Sequence, residues 1–429
     1  MKETPLLILS GVQGDTRRYR SHHLYEQLRL AGVDCALVHL TDRRAPALAA
    51  QARALVLQRV TWDRDVAALL EQAQRRGAPV LLDLDDLVFD EDAFRWIDSP
   101  DFADPTRVRL YRENMRRNRA TLEHSQAALT STDYLAERVR ACGKPARVHR
   151  NGFSLEMLHL SNLALAQPRP PRERVVIGYA SGTPTHDRDF ALIRPVLRRL
   201  LERRPQVEVW LIGRLQAGND WGAAAPRVRR VDFVPWRRLP ALLAELDVNL
   251  APLRLDNPFS QSKSEIKWME AALVGVPTVA SPTDAFAAAI RPGENGLLAS
   301  SPEEWLEHLL RLVDEPAERR RLGGAARADA LARYAPWVRA PQALDALREA
   351  GVEIPVHDPA GLAEGVPPLD RRDLWLDPAV ERRPTAFDRG LYSLRARGPL
   401  TLAQEVWIYL RRLAAPVFPF KPRRPGEIP

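Results

Sequence analysis

The chain has 429 residues, 45% of them apolar and 28% charged, which describes a soluble globular protein with room for two ordinary cores and an appendage. No run nears the ~18 apolar residues of a membrane span, and two cysteines, Cys35 and Cys142, exclude a disulfide framework and match a reducing cytoplasm. A net charge of +8 and a pI near 9.8 point to anionic partners. Without a nucleic-acid motif or interleaved aromatics, nucleic acid is not expected among them.

Leu6-Leu7-Ile8-Leu9 is too short for a signal peptide and reads as a buried parallel strand. The loop Ser10 to Asp15 follows, then Arg17, Arg18, Tyr19 and Arg20, and a helix to about Gly32. It is not the G-x-G-x-x-G fingerprint, which argues against a dehydrogenase. Cys35 to Leu40, Ala54 to Val60 and Pro79 to Leu82 read as strands, with a helix from Asp63 to Arg75. A helix near Tyr111 to Ser125, a strand from Ala127 to Thr130 and the turn at Asn151-Gly152 complete a doubly wound α/β domain over residues 1–163.

Ligands bind beyond the carboxyl ends of such strands. Gly14, Asp15, Arg17, Arg20, Asp83 and Asp85 therefore become acceptor-side candidates on one rim. Asp83-Leu84-Asp85-Asp86 also resembles the first motif of haloacid-dehalogenase phosphatases, but Leu87 stands where that motif has Thr or Val, and it follows three βα units. It is similar too to the D-x-D metal motif of glycosyltransferases with another fold. The plainer reading is an acidic turn neutralised by arginine.

Residues 164–174 gather prolines and read as a linker. Val175 to Ala180 then begins a second βα series over 175–335. The small-residue turn Ser181-Gly182-Thr183, with His186, precedes a helix from about Asp189, a setting that suits phosphate. Val207 to Ile212 ends at Gly213-Arg214; Val231 to Trp236, carrying Phe233 and Val234, reads as the next strand. The pair Ser262 and Glu265 has capping-box spacing, so a helix is expected from Lys263, with Lys263, Lys267 and Glu270 on one face. Only five of the 63 basic residues are lysines, and two are here. A compact ammonium is a point-charge phosphate binder, unlike the Arg fork. The plainer reading is a surface Lys-Glu pair worth a few tenths of a kcal/mol.

Three strings, IGYASGTPTHDRDF, KSEIKWMEAALVGVPTVAS and PGENGLL, make 175–335 resemble the donor domain of GT-B glycosyltransferases, closest to family 4 and its bacterial surface-polysaccharide branch. The resemblance implies two Rossmann-like domains facing a cleft and a nucleotide-diphosphate sugar as donor. It implies a carbohydrate or lipid-linked acceptor, no cofactor and no metal, and a hexosyltransferase acting with retention. Glu270 would bind the ribose, Lys263 and Lys267 would lie near the diphosphate, Ser181, Gly182 and Thr183 beneath it, and Phe233 and Val234 beside the base. His186 and Arg214 join them as phosphate donors, and Lys263, Lys267 and Glu270 carry the chemistry. The family usually has a glutamate eight residues before Glu270; here it is Ser262. A sugar-nucleotide epimerase of the same fold and a non-catalytic nucleotide-binding module are the alternatives.

Residues 336–429 form a C-terminal extension. Leu402, Val406, Leu410 and Leu413 make a stripe on a helix near 401–415, ahead of an aromatic and basic tail. This segment either packs back on the body or meets an anionic membrane, placing a cytoplasmic protein peripherally on its inner face.

Overall fold

The computed structural model describes residues 6–168, 172–215, 218, 220–357 and 384–414. It contains two six-stranded parallel sheets. The first joins β1 (Leu6–Ser10), β2 (Cys35–His39), β3 (Ala54–Gln58), β4 (Val80–Leu84), β5 (Ala127–Thr130) and β6 (Ala146–Val148) in the order β2-β1-β3-β4-β5-β6. Its strands are apolar at consecutive positions because helices cover both faces. On β1, Leu7 and Leu9 enter one core while Leu6 and Ile8 enter the other, all fully buried.

The second sheet joins β7 (Val175–Ser181), β8 (Val207–Gly213), β9 (Val228–Val231), β10 (Val248–Ala251), β11 (Thr278–Ala280) and β12 (Leu297–Leu298) in the order β12-β11-β10-β7-β8-β9. In each sheet the order of strand addition reverses beside the first strand, between β1 and β3 and between β7 and β10. Such reversals splay the flanking loops apart and open a crevice at the strands' carboxyl ends. The two crevices face each other, as the α/β two-domain expectation requires.

The chain then returns to its start. The Pro336–Glu349 helix leaves the second domain and buries Ala340, Ala343, Leu344 and Leu347 against Leu24, Leu28 and Ile8 of the first. Burying a leucine contributes about 1.5–3 kcal/mol, so this helix ties the domains together. Ala386–Arg397 and Pro399–Ala414 form a helical hairpin bent at Gly398 (φ 89°). It docks on the first domain through Tyr392 Oη to Asp63 (2.9 Å) and Arg395 Nε to Asp65 (2.7 Å).

Several expected boundaries move. The linker expected at 164–174 begins as helix, because Leu155–Ala166 is a continuous helix capped by Ser154. The strand expected from Val231 to Trp236 is β9 at Val228–Val231, so Phe233 and Val234 lie in the loop beyond it. The tail after Ala414 and residues 358–383 lie outside the described residues. Among those described, no helix is long and apolar enough to cross a membrane.

Candidate functional site

A cleft of about 540 Å³ lies between the carboxyl edges of the two sheets. On the second-domain side, the turn after β7 is closed by Ser181 Oγ donating to the Thr183 carbonyl (2.8 Å). The end of β8 folds tightly onto it. Gly213 has φ 90°, and a Cβ there would stand 2.2 Å from the Ser181 carbonyl oxygen, so only glycine fits. Arg214 N–H then bonds that carbonyl at 2.9 Å, and its guanidinium sits 4.9 Å from the centre of the half-exposed Phe233 ring. Ser181, Gly182, Thr183, His186, Arg214, Phe233 and Val234 thus line one wall together.

His186 is held by Asp189 (Nδ1 to Oδ2, 2.9 Å), which also accepts Arg254 N–H (3.0 Å) and Ser260 Oγ–H (3.2 Å). Burial lowers the His186 pKa; the Asp189 bond opposes this, and Lys267 and Lys263 add to it. The ring is neutral near pH 7 and gains a proton more readily once an anion sits beside the lysines.

The helix carrying the central residues starts later than its spacing suggests, at Ile266, and ends at Leu273. The capping box does not form. Ser262 is fully buried and donates to the Phe259 carbonyl (2.7 Å), while Glu265 is buried and accepts the Tyr334 hydroxyl (2.8 Å). Lys263 therefore precedes the helix, and only Lys267 and Glu270 share its face. All three still line the cleft.

Lys267 donates to the Ala180 carbonyl, its ammonium 4.9 Å from the Tyr179 ring centre. Burial pulls its pKa down to about 8, against Glu270 and Asp189, which favour the charge. Glu270 is claimed from across the cleft: it accepts the Tyr19 hydroxyl and lies 3.7 Å from Arg18. Burial raises its pKa, with Arg18, the Tyr19 bond and Lys267 pulling the other way. Arg18 is sandwiched 4.1 Å from the Tyr19 ring and 4.7 Å from the Trp236 ring. Lys263 also crosses the cleft, to Asp86 at 2.6 Å.

The first-domain rim divides the candidates. Gly14, Asp15 and Asp85 line the cleft. Arg20 and Asp83 do not: they bond each other at 2.9 and 2.7 Å beneath the rim, 1% and 0% exposed. Arg20 also reaches the His149 carbonyl (2.7 Å) and Asn151 Oδ1 (3.1 Å), so its donor fork is committed to the fold and not to an acceptor. Arg17 is buried and is likewise absent from the cleft lining.

The acidic turn is neutralised by a residue its own sequence does not reveal. Arg59, at the end of β3, stands 3.2 Å from Asp85 and 3.0 Å from Asp86. Its φ of 48° is the one left-handed conformation of a non-glycine residue among those described, a strain of about 1–3 kcal/mol offset by the two ion pairs, of which the one to Asp86 is also a hydrogen bond. Burial raises the Asp85 pKa despite Arg59; at Asp86, Lys263 and Arg59 outweigh burial and lower it. The two adjacent carboxylates are thus set apart in basicity.

Arg59, Trp236 and Ser264 carry no sign of a site in the sequence, and Arg18, Tyr19, Asp86 and Asn151 belong to segments expected on the rim but have no individual role there. Most join the site through pairs 113 to 251 residues apart, such as Asn151 Nδ2 to Ser264 Oγ (2.8 Å), that leave no local pattern. The Arg18–His22 segment folds as a single π-helical turn, a form that concentrates at functional sites. Among the described residues, no three His, Cys, Asp or Glu side chains are grouped as a metal would require.

Residues 188–345 match a family described as glycosyl transferase-like. No curated protein sequence matches significantly. Among solved structures, sucrose-phosphate synthase from Thermosynechococcus elongatus is similar over 80% of this chain and 98% of its own, with a TM-score of 0.55 and 15% identity. HepE of Anabaena in complex with UDP aligns over 80% and 99%, at TM-score 0.52 and 14% identity. A UDP-forming trehalose-phosphate synthase from Burkholderia xenovorans aligns over 82% and 100%, at TM-score 0.51 and 11% identity. The architecture is GT-B.

Proposed function

We propose that the protein is a glycosyltransferase that moves a hexosyl group from a nucleoside-diphosphate sugar to a carbohydrate or lipid-linked acceptor. Its place is the cytoplasmic side of the bacterial envelope, in surface-polysaccharide synthesis. One observation carries this reading: two ammonium groups, a partly buried carboxylate and an open aromatic ring converge with a small-residue turn in one cleft. A diphosphate, a ribose and a base need those groups in that order. The complex of HepE with UDP-glucose, on the same fold, supports the donor class.

Breaking the sugar–phosphate bond leaves negative charge on the nucleoside diphosphate. Lys263, Lys267 and the N–H groups of the Ser181–Thr183 turn meet that charge as it develops, which lowers the barrier without waiting for solvent to reorganise. Arg214 and His186 add donors beside them. Glu270 takes the ribose hydroxyls, a charge-assisted bond of about 1.5–3 kcal/mol. The base stacks on Phe233 beside Val234. With two lysines at the leaving group, the charge a metal would supply is already present, and we assign metal-independent transfer; retention of configuration is what the resemblance to family 4 implies. Asp85, with its raised pKa, faces the side from which an acceptor hydroxyl arrives.

Thermal-shift measurements with UDP, GDP, ADP and dTDP, and their sugar-bearing forms, test the donor. A ligand at ~100 times its dissociation constant adds about 2.7 kcal/mol of stability. No shift with any of them rejects the donor site. Product analysis by NMR then reads transfer and anomeric outcome. A second reading is favoured by the sealed Ser262 position and by Tyr19 occupying Glu270: a nucleotide-binding module without turnover. Binding without hydrolysis, transfer or epimerisation would establish it.

A further inference from the structure

The hairpin of Ala386–Arg397 and Pro399–Ala414 stands off the first domain. Between it and the loops after β1 and β2 runs a groove of about 570 Å³. Gln13 lines both this groove and the cleft, so the two spaces adjoin along one rim.

The groove's lining includes donors that the fold leaves with unused capacity. Ser393 is 2% exposed, and its hydroxyl has no hydrogen-bond partner among the described residues. A buried hydroxyl left this way is costly until something accepts its bond. His39 receives the Thr41 N–H on Nδ1 (3.2 Å), which puts its ring proton on Nε2 as a donor. Burial, with Arg17 and Arg389 nearby, holds that imidazole down to about 4, so it stays neutral. Arg389 bonds the Pro384 carbonyl (2.9 Å) and pairs with no carboxylate among the described residues, whereas Arg397 is paired with Asp63 and Glu405. The second helix of the hairpin adds hydrocarbon to the same lining: Leu402, which packs beside Gly390, and Val406 and Tyr409, 46% and 57% exposed.

We propose that this groove seats the acceptor co-substrate, an amphiphile whose phosphate ester lies at His39, Arg389 and Ser393 and whose hydrocarbon chain lies along Leu402, Val406 and Tyr409. Charge complementarity selects the anion, and the apolar wall selects the chain. Continuity through Gln13 brings the acceptor's reactive hydroxyl to the donor cleft, where Asp85 lies. The assignment rests on the transferase reading for the word acceptor, while the groove's ligand class stands on its own lining.

The test uses the full chain and n-decyl phosphate below its micelle concentration, titrated calorimetrically with and without UDP. Decyl phosphate binds whether or not UDP is present. Decyl glucoside, lacking the anion, and inorganic phosphate, lacking the chain, each bind at least about tenfold more weakly. Arg389→Ala and Val406→Asp each weaken decyl phosphate by about tenfold or more and leave UDP affinity unchanged, which also reports an intact fold. If either variant fails to fold, a photoreactive decyl phosphate on the unsubstituted protein labels residues within 11–13, 39–41 or 386–409. Labelling elsewhere, competition with UDP, or binding indifferent to both substitutions overturns the groove. So does binding only to anionic vesicles, which would make this face a membrane contact. Loss of UDP binding with decyl phosphate binding intact would reject the donor reading and spare the groove's ligand class.

Discussion

Lys267 makes a quantitative statement about pH. Its ammonium is buried, and its pKa falls from 10.5 to about 8 in the free protein. A bound diphosphate favours the charged form, so binding restores the proton. The sign follows: below pH 8 the lysine is already charged and affinity is flat, while above it each free molecule must first take up a proton. At pH 9 only about a tenth of the lysines are protonated, so the apparent dissociation constant rises about tenfold over its value at pH 7. Calorimetric titration with UDP in two buffers of different ionisation enthalpy measures both quantities, with an uptake of about 0.9 proton expected at pH 9. The uracil imide titrates in the same region, so Lys267→Gln is run in parallel. That variant binds more weakly at pH 7 and loses the lysine's share of the slope. If wild type and Lys267→Gln show the same uptake, the lysine does not face the diphosphate.

Tyr19→Phe removes the hydroxyl that occupies Glu270 and should tighten UDP by up to about tenfold, the scale of one charge-assisted bond; unchanged or weaker affinity in calorimetry would show that Tyr19 does not compete with the ribose. Glu270→Gln should weaken UDP by about 1.5–3 kcal/mol and erase any preference for UDP over its 2′,3′-dideoxy form, and a retained preference would move the ribose elsewhere. Asp83→Ala strands Arg20 in the interior and should cost about 3–5 kcal/mol in urea unfolding, while UDP affinity in the folded fraction stays within about twofold. A loss of affinity without a loss of stability would return this pair to the site. Leu347→Ala should cost about 2–5 kcal/mol, with calorimetric unfolding splitting into two transitions as the returning helix releases the first domain.

Legibility followed the range of the physics. Buried parallel strands need consecutive apolar residues, so β1, β2, β3, β5 and β7 could be placed from composition alone. The Ile266–Leu273 helix was legible as a helix but not in its start, because Ser262 and Glu265 have the spacing of a local cap and satisfy distant groups instead. The place of Arg20 and Asp83 after strands points to the rim. A mutual bidentate pair beneath the rim gives no sign in either segment, since its two halves lie 63 residues apart. Arg59 went unseen because a left-handed backbone at an arginine is imposed by partners, not by its own propensity.

The amino-acid sequence by itself determined the two α/β halves and the chemistry gathered at the second: small residues at a strand's end, two rare lysines and a glutamate beside them. These depend on periodicity and residue type, which a chain carries locally. Tertiary structure alone decided what faces what. It set Tyr19 on Glu270 and Lys263 on Asp86 across the cleft, withdrew Arg20 and Asp83 from it, and opened a second groove under the C-terminal hairpin. Those outcomes come from contacts between segments far apart in the chain, which no local pattern records and which the packing of the Pro336–Glu349 helix across both domains helps to hold.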